Sequence, residues 1–93
     1  MTVAEKRSEK IEKMVAGAMA NHGMEEQAAR SWAEKQPVVV NVNMIAPDGV
    51  TMDIDIINGV ATIRIVGTPS SRTYKWADIE SKILEHGKNI RIK

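Results

Sequence analysis

The sequence predicts a small α+β domain, an antiparallel strand meander accompanied by three helices, and three observations carry that prediction. Val38, Val40, Val42 and Met44 alternate with Asn41 and Asn43, and apolar and polar residues alternate through 51–56 and 61–65. A period of two is that of a strand with one dry and one wet face. Two turn signals, Pro47-Asp48-Gly49 and Asn58-Gly59, separate the three segments. On either side of them the apolar residues recur every three or four positions, the period of a helix with one buried stripe. The expected order is α-α-β-β-β-α-β within one domain of residues 1–93: a helical hairpin over 1–36, a β-meander over 37–67, and a loop, helix and short terminal strand over 68–93.

Thr2-Val3-Ala4-Glu5 has the spacing of a capping box, in which the Thr hydroxyl and Glu carboxylate satisfy free backbone N–H groups. The helix that follows carries Ile11, Met14, Val15, Ala18 and Met19 on one stripe. Glu9 precedes Lys13 by four residues, the favourable orientation for a helical ion pair. Asn21-His22-Gly23 ends this helix, with Gly23 free to adopt φ > 0. Residues 24–35 read as a second helix with Met24, Ala28 and Trp32 inward and Ala29 at the margin, and Pro37 forbids its continuation.

The strand register follows from the turns. Pro47-Asp48-Gly49 is a three-residue loop with Gly at the left-handed position, and Asn58-Gly59 is a two-residue type I′ turn. Pairing Ala46 with Val50 sets Val42 opposite Ile54; pairing Ile57 with Val60 sets Ile54 opposite Ile63. Both turns place the apolar residues on one face, and a slip of one residue would scatter them. The wet face then holds two cross-strand ladders, Asn43–Asp53–Arg64 and Asn41–Asp55–Thr62. Residues 67–72 read as a loop. Residues 74–86 read as a third helix with Trp76, Ile79, Ile83 and Leu84 inward and Gly87 as its C-cap. Residues 88–93 alternate again, a terminal strand whose Lys88, Arg91 and Lys93 suit an exposed edge. The dry face of the sheet is expected to lie under the three helices.

Composition narrows the function. The chain has no Cys, which excludes a disulfide framework, a thiolate metal site and a thiol nucleophile. No apolar run approaches membrane-spanning length and no signal-peptide pattern opens the chain, so a cytoplasmic protein away from membranes is expected. Residues 1–36 balance six basic groups with six acidic, whereas residues 68–93 carry six basic against three acidic. That local charge of +3 is less than a nucleic-acid binder usually concentrates.

Side chains with chemistry are few. Asp53 and Asp55 project from one face beside Asn41 and Asn43, an oxygen-rich set that would suit a hard cation, but Arg64 supplies their counter-charge. Pro47-Asp48 with Glu80-Ser81-Lys82 spells a nuclease-like pattern; its acid and lysine fall in the third helix, where that chemistry would need a strand. His22 and His86 stand at helix C-termini, where a cation is favoured by the dipole. No enzyme, metal or cofactor is expected. The expected function is a protein-binding module in the format of phage or mobile-element inhibitors and adaptors. Its candidate partner-binding residues are Asn41, Asn43, Asp53, Asp55 and Arg64 on the wet face, and Arg72, Tyr74 and Lys75 beside the loop, an aromatic between cations being typical of interface hot spots. The alternative is a nucleic-acid module using the basic C-terminal third or a helix-turn-helix in the first 36 residues, although Glu25 and Glu26 at the entering helix end would repel phosphates. Self-association through Met14 and Met19, or through the terminal strand, would give a homodimer.

Overall fold

The computed structural model describes residues 1–93, which form two compact units, Met1–Val38 and Val39–Lys93. In the first, α1 (Val3–His22) opens with the capping box: Glu5 N–H donates to Thr2 Oγ1 at 3.1 Å and Thr2 N–H to Glu5 Oε1 at 3.2 Å. Gly23 closes it with φ +62°, a backbone that costs glycine nothing. Helix α2 (Glu26–Glu34) folds back along α1. Ile11, Val15 and Ala18 of α1 meet Ala29, Ala33 and Val38, with Met14 and Met24 packed against the cluster.

The inward face of α2 is turned by one residue from expectation. Ala29 and Ala33 are fully buried, whereas Ala28 is exposed and Trp32 is 43% exposed. Both stripes have helical spacing, so periodicity could not choose between them. Alanines let two helix backbones approach closely, and the Arg30 guanidinium grips the Glu12 carboxylate across the pair, its Nη2 donating to Oε2 at 3.2 Å.

In the second unit the meander is β1 (Val39–Ile45), β2 (Thr51–Ile57) and β3 (Val60–Ile65). The register is the expected one: Val42 faces Ile54, Ile54 faces Ile63, and Ile57 faces Val60. Asn58 and Gly59 both take positive φ, as a type I′ turn requires. Val40, Val42, Ile54, Ile56 and Ala61 are all at most 5% exposed, and they mark the dry face.

The structure adds a strand where a loop and a helix start were expected. Ser71–Lys75 is β4, antiparallel to β3. Its alternation has no apolar signature, because its dry-side positions are Arg72 and Tyr74 and its other side carries Ser71, Thr73 and Lys75. Tyr74 therefore belongs to a strand, and α3 begins at Trp76 (Trp76–His86). Trp76 and Ile83 are buried and Ile79 half-buried; Leu84, expected inward, is 47% exposed. Trp76 Nε1 donates to Glu80 Oε2 at 2.8 Å, which satisfies the indole that burial would otherwise strand. The terminal strand is β5 (Lys88–Ile92), paired with β1 and broken by a register shift between Asn43 and Ile45. The sheet order is β4-β3-β2-β1-β5. Since every neighbouring pair is antiparallel, β4 and β5 run the same way on opposite edges, and α3 carries the chain from one edge to the other.

Gly87 is the C-cap of α3, but for reasons of space. Its φ is −72°, and a Cβ there would stand 2.6 Å from Ile83 O and 2.8 Å from Met44 Cε. No helix is long and apolar enough to cross a membrane.

Candidate interaction surfaces

Five wet side chains of β1, β2 and β3, namely Asn41, Asn43, Asp53, Asp55 and Arg64, are tied into one network. Asn41 Nδ2 donates to Asp53 Oδ1 at 2.7 Å and to Asp55 Oδ1 at 2.8 Å, and Asn43 Nδ2 donates to Asp53 Oδ1 at 2.6 Å. Arg64 stands directly across from Asp53 in the register, yet its guanidinium bonds Asp55 and lies 3.7 Å from Asp53. The right-handed twist of the sheet brings such diagonal neighbours within reach of a long side chain. The two ladders read from the sequence thus merge into a single mesh in which every carboxylate has a partner, while Thr62, expected in the second ladder, stands opposite Asp55 in register without joining the bonds.

The edge strands extend this face. Ser71 stands opposite Arg64 and Thr73 opposite Thr62 on one side, and Arg91 stands opposite Asn43 on the other. Toward the Asn58-Gly59 turn the same face becomes apolar: Val39, Ile57 and Val60 lie in cross-strand register and are 41%, 37% and 48% exposed, with Lys75 opposite Val60. The register set by the two turns brings these three opposite one another, and the structure adds that they are exposed.

The eight candidate residues fall on two surfaces. Asn41, Asn43, Asp53, Asp55, Arg64 and Lys75 share the polar face. Arg72 and Tyr74 lie on the opposite, dry side of β4. There they join Met52, Ile63, Ile65, Ser70 and Ser71 around a hollow of about 360 Å³. Tyr74 is 41% exposed.

The remaining candidates have local roles. Asp48 Oδ1 accepts from Val50 N–H at 3.1 Å, holding the turn, and Glu80 serves Trp76, which leaves the nuclease-like letters in structural positions. No group of three or more His, Asp or Glu is placed to share a metal ion. Arg30, the one cation of α2, is held by Glu12 and Glu26. The hydrogen bond and charge of Arg30 hold the Glu12 carboxyl below its ordinary pKa of 4.5, and Lys6 does the same for Glu9. No protein-family model, curated protein or solved structure matches the chain.

Proposed function

We propose that this chain is a non-enzymatic protein-binding module whose partner seats on the polar sheet face. One observation carries the reading: a mesh of mutually hydrogen-bonded Asn41, Asn43, Asp53, Asp55 and Arg64 lies beside an exposed apolar row of Val39, Ile57 and Val60. Side chains already held by one another lose little freedom when a partner docks, and such preorganisation lowers the cost of association. An apolar strip beside polar groups is also the usual composition of an interface, with burial supplying affinity and the polar rim supplying register. A partner that offers an apolar ridge to Val39, Ile57 and Val60, and donors and acceptors to the mesh, fits this face. Occupying another protein's surface in this way is how an inhibitor or adaptor works.

The test is capture of a partner from native extract by the tagged chain, at low and high salt and after nuclease treatment. A protein retained at high salt is expected to be lost from Asp53→Lys and from Val60→Lys, and kept by Lys82→Glu on α3, all three variants keeping a cooperative melt. Recovery of nucleic acid alone, released by salt and lost in Lys82→Glu, would overturn the reading in favour of the basic C-terminal third.

A further inference from the structure

We infer that the β4 edge is a self-association surface, where a second copy of this chain pairs antiparallel about a two-fold axis through Thr73 to make one continuous ten-stranded sheet. This inference is independent of the partner-binding reading of the polar face. It rests on which backbone groups β4 leaves unpaired and on which self-register its charges allow.

The backbone assignment follows from the hydrogen-bond alternation. In an antiparallel sheet the N–H and C=O of one residue point to the same neighbour, and successive residues point to opposite neighbours. Ala46 N–H donates to Val50 O, Val66 N–H to Thr51 O, and Trp76 N–H to Gly59 O. These bonds set the phase of each ladder in turn. Trp76, Tyr74 and Arg72 direct their backbone groups to β3, and Ser71, Thr73 and Lys75 direct theirs outward from the sheet. Asn41 and Lys93 exchange N–H···O bonds at 3.2 and 2.8 Å, so the same alternation holds out to the far edge.

Side-chain chemistry then selects the register. With Thr73 on the axis, Thr73 meets Thr73 of the partner and Ser71 meets Lys75 of the partner. Every outward N–H and C=O of the strand is used, and no two cations face one another. On the dry side Arg72 meets the partner's Tyr74, a pairing of guanidinium and ring that is favourable in itself. Arg72 also lines the hollow bounded by Met52, Ile63 and Ile65, so the partner's ring stands at its rim. A register centred on Arg72 would oppose two guanidinium groups and use fewer backbone groups. One centred on Ser71 would bring Pro69, which has no N–H, against Thr73.

The other edge is built against such pairing. In β5, Asn89 has φ +52° and the ladder to β1 shifts register there; a bulge of this kind twists an edge away from a template. Its outward groups belong to Ile90 and Ile92, and a self-pair that uses both would set Arg91 directly opposite Arg91 of the partner. Like charges so placed are destabilising.

The test uses the full chain. Sedimentation across a concentration series should show mass rising to twice that of the monomer. Thr73→Lys, which places like charges on the axis, and Thr73→Pro, which removes an outward N–H and none of the bonds to β3, should both remain monomeric at concentrations where the parent is dimeric, with cooperative melts retained. Because the chain has no Cys, a single introduced thiol reads the register. Thr73→Cys residues would sit with Cα atoms about 5.5 Å apart, within disulfide reach, and should cross-link under mild oxidation. Ser71→Cys residues would lie about 13 Å apart along the strands and should not. A parent that is monomeric at every concentration, a dimer that survives both substitutions at Thr73, or cross-linking of Ser71→Cys or Tyr74→Cys in preference to Thr73→Cys would each overturn the inference.

Discussion

The helical unit and the sheet unit are held together by different means. The core of the helical unit sets three small residues, Ala18, Ala29 and Ala33, among Ile11, Val15 and Val38. The sheet unit buries larger side chains, with Ile54, Val40 and Val42 the largest at under 2% exposure, and ties its other face with a polar mesh. A close-packed alanine seam leaves little side-chain volume to remove, and it is sensitive to additions. A face of Ile and Val is sensitive to loss. At Ala29 and Ala33 in the one and at Ile54 in the other, opposite kinds of substitution should therefore be the damaging ones.

The largest effect is expected from Ile54→Ala, which deletes a fully buried side chain at the centre of the dry face. It should cost about 2–5 kcal/mol. Each unit holds one Trp, so a Trp32→Phe background leaves Trp76 as the reporter of the sheet unit, and the urea midpoint of its fluorescence measures the loss. An unchanged midpoint would mean that the dry face does not hold this unit together. In the helical unit Ala33→Leu should cost about 1–3 kcal/mol by overpacking, and the neighbouring Trp32→Ala, at a side chain 43% exposed, should cost less than that. The opposite order would return the inward face to Ala28 and Trp32.

Gly87→Ala sharpens the comparison at the end of α3. Its Cβ would meet Ile83 O at 2.6 Å, so the helix end must shift, at a cost of about 1–3 kcal/mol. Asp53→Asn keeps the shape of the mesh and removes one charge, and should cost about 1 kcal/mol; a cost as large as that of Ile54→Ala would make the mesh, and not the dry face, the principal support of the sheet.

The smallest effect is electrostatic. The folded-state pKa of Glu12 is depressed by Arg30, so its contribution to the helical unit is present above the unfolded carboxyl value of 4.5 and is lost as pH falls through the lower folded value. Glu12→Gln should flatten that part of the acid titration of helical circular dichroism. An acid limb identical in the variant and the parent would show that the pair contributes nothing measurable, as many exposed pairs do.

Legibility differed between elements for physical reasons. The register of β1, β2 and β3 was readable because two turns and three alternations all demand the same dry face, and a slip breaks every one of them. The ends of α1 were readable because Thr2 with Glu5 and Gly23 each satisfy a local requirement. Strand β4 was not readable, since an edge strand buries little and its dry positions hold Arg72 and Tyr74. The candidate residues were correctly gathered on the polar face for β1 to β3, where parity decides. Arg72 and Tyr74 were separated from Lys75 only once β4 was seen as a strand. The apolar row Val39, Ile57 and Val60 follows from the same register of β1, β2 and β3, and the structure adds that all three are left exposed.

By itself the sequence determined what depends on neighbours in the chain: the capped first helix, the two hairpin turns, the strand pairing they enforce, and the absence of any thiol chemistry. Tertiary structure alone decided which alanine stripe α2 buries, that residues 71–75 complete an edge, and that Arg64 reaches past Asp53 to Asp55. In each of those cases several local arrangements satisfy the backbone equally well. The choice among them falls to close approach, to unpaired N–H and C=O groups on a neighbouring strand, and to twist, all of which exist only once distant segments have met.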